Sequence, residues 1–376
     1  MLDKYLLILP QTAGDIDEEW NQCLGKLKVG IGDGYNLIKL SVFIEAPDFR
    51  SYVEMHRRMM HDIALIFNDK MPVCSITIHP PERPWKVALE AGLLKAGSFE
   101  LQYRSVSGIN YVTCSEGDVK FLWGGGTGAT SFPDDTTKAA GEAFDLMRQV
   151  LESEEMSLDN IVRQWNYIGD ITSVTESGEN YHNFNSVRSR NYATYRTQQV
   201  FPAATGIGIK HGGVSLDFFA VKGGDELRIL PVNNPEQVRP YQYGQVVLKG
   251  VQCPQFERAM AVSYGNEYTL FISGTASILG QDTIGVDDVE KQTRVTIENI
   301  LKLVETNNRN VSAGTTGFDT ENLILLRVYI KKQSDFEKVK QVCGNYFNGA
   351  PSILIEADVC RENLLVEIEA EFHKRI

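Results

Sequence analysis

Three stretches of the chain align with one another without gaps: Asn36-LIKLSVFI-Glu45, Asn160-IVRQWNYI-Gly169 and Asn322-LILLRVYI-Lys331. Each is a run of apolar and β-branched residues, which predicts a strand. A segment opening on Asp48-Phe49, Asn183-Phe184 or Asp335-Phe336 follows, and in it apolar residues return every three or four positions, as at Phe336, Val339, Cys343 and Phe347. That spacing predicts a helix lying on a sheet by one apolar stripe. A proline comes next (Pro72, Pro202, Pro351), and then a further strand beginning at Trp85, Leu216 or Leu364. The unit is strand, helix, strand, three times over.

The first half of the unit repeats as well. The segments after Asp134-Asp135 and Asp287-Asp288 align with Phe144 on Ile297, Met147 on Ile300 and Val150 on Leu303, each after a strand, at Phe121 and Phe271. A shorter version, Leu6 to Pro10 and then a helix over 18–27, opens the chain. The anchoring asparagines stand 124 and 162 residues apart, so an insertion falls around 222–252. Alternating strands and amphipathic helices predict an α+β fold with helices on one face of each sheet. The bare sheet faces need cover, and three equal units of about 125 residues can give it by packing around a common axis as a built-in pseudo-trimer. The expected divisions are 1–95, 96–222, an insertion over 223–254, and 255–376.

Composition narrows the function. Against 37 Lys+Arg stand 49 Asp+Glu, a net charge of −12 that repels a phosphate backbone, so no nucleic-acid partner is expected. The longest apolar runs, such as Tyr5–Pro10, fall far short of the ~20 residues a spanning helix needs. The start MLDKYLLILP has no basic segment or cleavage site of a signal peptide, and a cytoplasmic protein without membrane association is expected. Six cysteines without a CxxC pair read as reduced, and six histidines without HxH or HExxH leave no metal site and no cofactor in view. Gly124-GGTGA129 fits a dinucleotide-loop pattern, but a proline separates it from the next helix, so it is read as the cap of a strand ending at Trp123.

The repeat also tests single residues, because a group needed only for folding should have a similar counterpart in its sister units. With Pro72 and Pro202 set on Pro351, the counterparts of Glu367 are Ala88 and Phe218. An acid replaces two apolar groups. Strand alternation puts Glu367, Glu369 and Glu371 on one face and Val366, Ile368 and Ala370 on the other, against the helices. Glu369 and Glu371 are expected on a solvated face. Arg327 replaces Ser41 and Trp165 within an apolar strand, and a buried arginine needs a carboxylate, either the protein's own or a ligand's.

Residues 255–376 resemble the YjgF-type (Rid) fold in the strand Phe271-Ile-Ser-Gly274, the helix through Gln292-Thr293 and Asn299-Ile300, and the closing strand Val366-Glu-Ile-Glu369. That family forms trimers with sites between subunits. Its imine deaminases carry an arginine after the proline that precedes the closing strand, whereas Ser352 stands here, which argues against ordinary imine deamination. A fuller resemblance is to the chorismatases, through Trp165-Asn-Tyr-Ile168, Tyr181-His-Asn-Phe-Asn185 with Arg188, Tyr195 and Arg196, Phe201-Pro-Ala-Ala-Thr205-Gly-Ile-Gly208, Tyr243-Gly244, Phe256-Glu-Arg-Ala259, and Ala357-Asp-Val-Cys360-Arg361 running into Glu367-Ile-Glu369.

The resemblance implies an enzyme that cleaves the enolpyruvyl ether of chorismate to pyruvate and a ring acid, with Glu367 as the acid and no cofactor. Arg258, Arg327, Arg196 and Tyr195 are then expected to contact the substrate, with Arg188 and Arg361 as further candidates for holding a dianion. Gly274 and Cys360 match positions that mark the pocket of chorismatases releasing an aromatic product, which favours 3-hydroxybenzoate over 4-hydroxybenzoate or a dihydroxy-cyclohexadiene acid. A pseudo-trimeric monomer or weak homo-oligomer is expected. An enamine or imine deaminase and a non-catalytic binder of small aromatic acids stand as alternatives.

Overall fold

The computed structural model describes residues 1–176, 178–243, 252–310 and 317–375. Tyr243-Gly244 is therefore described only at Tyr243. The first sheet holds β1 (Lys4–Ile8), β2 (Tyr35–Ile44), β3 (Val73–Thr77) and β4 (Val87–Lys95), with helices α1 (Ile16–Ile31) and α2 (Phe49–Phe67). The second holds β5 (Glu100–Val106), β6 (Ile109–Glu116), β7 (Val119–Thr127), β8 (Ile161–Gly169), β11 (Ala203–Ile209) and β12 (Val214–Lys222), with α3 (Thr136–Ser153) and α4 (Asn180–Tyr195). A two-stranded ribbon, β9 (Val174–Thr175) and β10 (Gly178–Glu179), precedes α4. The third sheet holds β13 (Arg228–Val232), β14 (Ala259–Tyr264), β15 (Glu267–Ala276), β18 (Leu323–Ile330), β19 (Ser352–Glu356) and β21 (Val366–Arg375), with α5 (Val289–Asn310) and α6 (Phe336–Tyr346). A second ribbon, β16 (Ile278–Leu279) and β17 (Asp282–Thr283), follows β15, while β20 (Asp358–Val359) leaves the third unit to pair with β11 of the second sheet.

One strand order recurs: β1-β4-β2-β3, β7-β12-β8-β11 and β15-β21-β18-β19. The outer pair is parallel each time, joined through a helix, and the remaining pairs are antiparallel. The sequence pattern passes over β3, β11 and β19, the strands directly after the prolines. They are only five to seven residues long, and periodicity is weak evidence at that length. The first helix of each unit starts where the chain supplies an aspartate to accept an early N–H: Asp15 from Glu18, Asp135 from Lys138 and Asp288 from Lys291, at 2.9–3.0 Å.

Each helix pair covers one face of its own sheet with a separate apolar core. The other faces meet in clusters drawn from all three sheets, one around Phe43, Tyr167 and Tyr329 and another around Leu2, Trp123 and Phe271. The glycine run sits between the two kinds of packing, Gly124 against Phe218 of the second sheet's own core and Gly125 against Asp217 and Val73. Contrary to a strand ending at Trp123, β7 continues through Gly124–Gly126 because the missing side chains make room for Phe218 and Asp217, and Gly126 N–H donates to Asp217 Oδ1 at 2.8 Å.

Hydrogen-bond register corrects one sequence alignment. Glu367 lies opposite Tyr329 and Ala88 opposite Phe43, but Ser215, not Phe218, lies opposite Tyr167. The turn before β12 is shorter, at Gly212-Gly213, than the connection before β21, so an ungapped comparison slips there.

Candidate active site

The closing strand β21 alternates as the sequence predicts. Val366, Ile368 and Ala370 enter the helix-side core, and the three glutamates share the opposite face. That face is interior rather than solvated, because the other two sheets cover it, and Glu367, Glu369 and Glu371 are only 4%, 3% and 5% exposed.

Glu369 sits in a buried ionic cluster. Its Oε2 accepts from Arg163 Nη2 at 2.7 Å, and its Oε1 accepts from Arg327 Nη1 at 2.6 Å and Trp165 Nε1 at 2.8 Å. Burial opposes its ionisation, but the Arg327 and Arg163 charges outweigh it and hold the carboxyl below the usual range. Arg327 also donates to both oxygens of Glu90, at 2.9 and 2.5 Å. A separate buried pair, Lys39 with Asp217 at 2.9 Å, stands on the first and second sheets. Glu90, Asp217 and Glu369 face Ser41, Trp165 and Arg327 in the ladders, so the three acids are counterparts.

Glu367, two residues earlier, has a different setting. It lines a cavity of about 650 Å³ between the second and third sheets, with Gly274, Cys360, Arg188, Arg258 and Arg361 also in its wall. Burial, and then the Glu369 charge, push its carboxyl up to about 8 against the pull of Arg163 and Arg258. Room for that carboxyl comes from Gly274, where any Cβ would run into Glu367 Oε1. Cys360, placed at the wall by the β20–β11 pairing, has its thiol pushed up to about 12 by burial and by Glu367. It is therefore a neutral wall group near pH 7.

The arginines of the wall are short of counter-charges. Among the described residues no carboxylate lies within ion-pair distance of Arg188, Arg258 or Arg361. Arg258 Nη2 donates instead to Val238 O at 3.1 Å and Tyr243 Oη at 2.5 Å, Arg188 Nη2 to Asn185 Oδ1 at 2.6 Å, and Arg361 Nη1 to Gln281 O at 3.0 Å. The Nε groups of Arg188 and Arg258 are buried without an acceptor. Buried guanidiniums in this state suit a small ligand carrying carboxylates.

The structure thus brings together Glu367, Arg258, Gly274 and Cys360, and leaves three expected contacts outside. Arg327 is 1% exposed and spent on Glu90 and Glu369, which settles its open alternatives in favour of the protein's own carboxylates. Arg196 turns away to the carbonyls of Leu158 and Val200 and toward Asp159. Tyr195 is 44% exposed at the end of α4, beneath the Arg148 guanidinium. Two wall residues, Tyr181 and His182, lie in a stretch that carried the resemblance but were not singled out. Arg163, which reaches the site through Glu369, carries a weaker mark in the sequence than Arg327, because Gln164 and Asn166 share its strand.

A buried carboxyl that resists ionisation, beside cations without counter-ions, can deliver a proton to a small anionic ligand. Comparison with known proteins agrees with an enzyme of this kind. Residues 104–220 match the family described as Chorismatase FkbO/Hyg5-like, N-terminal, and residues 255–372 match Endoribonuclease L-PSP. A 3-hydroxybenzoate synthase of Streptomyces hygroscopicus is 34% identical over 240 residues, 62% of this chain and 68% of that one. A chorismatase of Streptomyces rapamycinicus is 29% identical over 253 residues, 64% of this chain and 72% of that one. A crystal structure of a chorismatase superimposes over 99% of both chains with a TM-score of 0.68 at 22% identity, a shared fold. The chain belongs to the chorismatase family. No helix among the described residues is long and apolar enough to cross a membrane.

Proposed function

We propose that this enzyme cleaves the enolpyruvyl ether of chorismate, releasing pyruvate and a hydroxybenzoate, with Glu367 as the proton donor. The observation that carries this reading is the Glu367 carboxyl itself, buried in the cavity wall and pushed up to about 8. An enol ether resists hydroxide but yields once its terminal carbon is protonated, so the reaction calls for an acid that keeps its proton near neutrality.

Transfer of the Glu367 proton to that methylene carbon makes an oxocarbenium ion and leaves the glutamate ionised, a form that the Arg163 and Arg258 charges favour. Water adding to the cation returns a proton to Glu367 and gives a hemiketal, whose bond to the ring oxygen breaks to release pyruvate and leave a ring hydroxyl. When the ring hydroxyl adds instead, the cyclic ketal opens by breaking one ring carbon–oxygen bond as the ring loses a proton to Glu367 and becomes aromatic, and the hemiketal left behind breaks down to pyruvate and the phenol. The hydroxybenzoate outcome consumes no net water, because the ring loses the elements of water as it becomes aromatic. The dihydroxy-diene outcome consumes one molecule. The neutral Cys360 and the space at Gly274 favour 3-hydroxybenzoate, and Arg258, Arg188 and Arg361 hold the two carboxylates.

In this reading the chain is three Rid-like units fused as a pseudo-trimer, over 1–95, 96–222 and 255–376 with an insertion at 223–254, and the site lies between the second and third units. The recurring strand order and the shared interior support it. Incubation with chorismate, with pyruvate followed through lactate dehydrogenase and the ring acid separated by chromatography, tests the proposal. Pyruvate and 3-hydroxybenzoate in equal amounts are expected, and an absence of pyruvate release sinks it.

A further inference from the structure

We infer that Thr205, on the second sheet, is a positioning residue for the proton donor on the third, its hydroxyl tying the glycine bulge that faces Glu367 to Glu369 on the donor's own strand. The inference rests on Glu367 being the donor.

The ladder between β15 and β21 breaks at this point. Ile272 pairs with Ala370 and Thr275 with Ile368, so Ser273 and Gly274 together stand opposite Glu369 alone. Such a bulge re-aims a strand, and it takes the Gly274 N–H out of the ladder. Thr205 Oγ1 accepts that N–H at 3.0 Å. The same oxygen accepts Arg163 Nη2 at 2.7 Å and donates its own proton to Glu369 Oε2. A hydroxyl has one proton to give and two lone pairs to fill, and all three are in use here.

The methyl of Thr205 lies beside the same glycine, while the hydroxyl makes the ties. A Cβ on Gly274 would lie 3.0 Å from Thr205 Cγ2 and against Glu367 Oε1, so the glycine is held between the threonine and the donor carboxyl. A second stitch runs alongside, from Ala204 N–H to Ser273 Oγ at 2.9 Å. Thr205 is fully buried behind the cavity wall, and its neighbours Ala204 and Gly206 line the cavity. It therefore acts on the reaction through Gly274 and Glu369, with no place of its own at the substrate. Without the hydroxyl, the bulge N–H, the Glu369 oxygen and the Arg163 guanidinium each lose a partner, and the bulge can shift toward the donor.

The test compares Thr205→Val, which keeps the shape, with Thr205→Ser, which keeps the hydroxyl. Displacing a reacting group by about 1 Å costs on the order of 100-fold. Thr205→Val is thus expected to lower kcat for pyruvate release from chorismate by about 10- to 100-fold with KM changed less than about threefold, while Thr205→Ser stays within about threefold of wild type. Thermal melting checks that each variant folds, and Thr205→Ala replaces the valine variant with the same expectation if that one does not. Glu367→Gln is measured in parallel. An inactive Glu367→Gln beside a Thr205→Val of unchanged kcat overturns the inference alone, as does a tenfold loss in Thr205→Ser. A Glu367→Gln that keeps its turnover removes the donor and the inference with it.

Discussion

Glu367 and Glu369 stand two residues apart on one strand, on one face, equally buried, and behave in opposite ways. Glu369 meets two guanidiniums, an indole N–H and a hydroxyl, and stays ionised. Glu367 meets a cavity, the edge of a glycine and the field of its ionised neighbour, and holds its proton. Burial raises the pKa of both carboxyls, so the difference comes from the partners that the second sheet, and through Arg327 the third, bring to each. The first is suited to chemistry and the second to holding sheets together.

The sharpest way to break the contrast is Glu367→Gln, which removes the proton but keeps the shape. Loss of a positioned acid is expected to lower kcat by about 10²–10⁴-fold with an unchanged melting curve. The opposite pattern is expected of Arg327→Met, which strands Glu90 and Glu369 in the interior. It should cost about 3–5 kcal/mol in urea unfolding, and a cost below about 1 kcal/mol would mean that the cluster is solvated. Arg258→Ala sits between these, with KM for chorismate rising about 10- to 100-fold from the loss of a charge-assisted contact, as steady-state kinetics will read.

The pH profile separates the two acids without mutation. With Glu367 acting in its protonated form, as proposed, and its folded-state carboxyl pushed up to about 8, kcat/KM should be level below that pH and fall above it. A fall beginning near the ordinary 4.5 would show an ionised carboxyl at neutrality and break the comparison. The smallest effect is expected at Tyr195, exposed and outside the cavity, where Tyr195→Ala should leave kcat/KM within about twofold.

Much of this was legible in the chain because repeated periodicity is a local property. The recurring strands, their helices and the single acid among non-acidic counterparts all appear in one-dimensional comparison. An ungapped comparison puts Phe218 where the ladder puts Ser215, since a shortened turn is invisible without register. The sequence marks Arg327 as a charge in need of a partner but does not name Glu90, which lies 237 residues away. Tyr195 and Arg196 belong to the stretch that carries the resemblance, yet at the end of α4 Tyr195 stands exposed and Arg196 turns to the Leu158 and Val200 carbonyls.

By itself the sequence determined the recurring strands and helices, their order, and which side of the closing strand packs on the helices, because propensity and alternation act between near neighbours. It also marked Glu367 as out of character. Tertiary structure alone decided which carboxyl keeps its proton, which arginines go without a counter-ion and which threonine braces the bulge. Those outcomes depend on groups that approach from other sheets, and electrostatic energy in a desolvated interior depends on distance in space, to which distance along the chain is no guide.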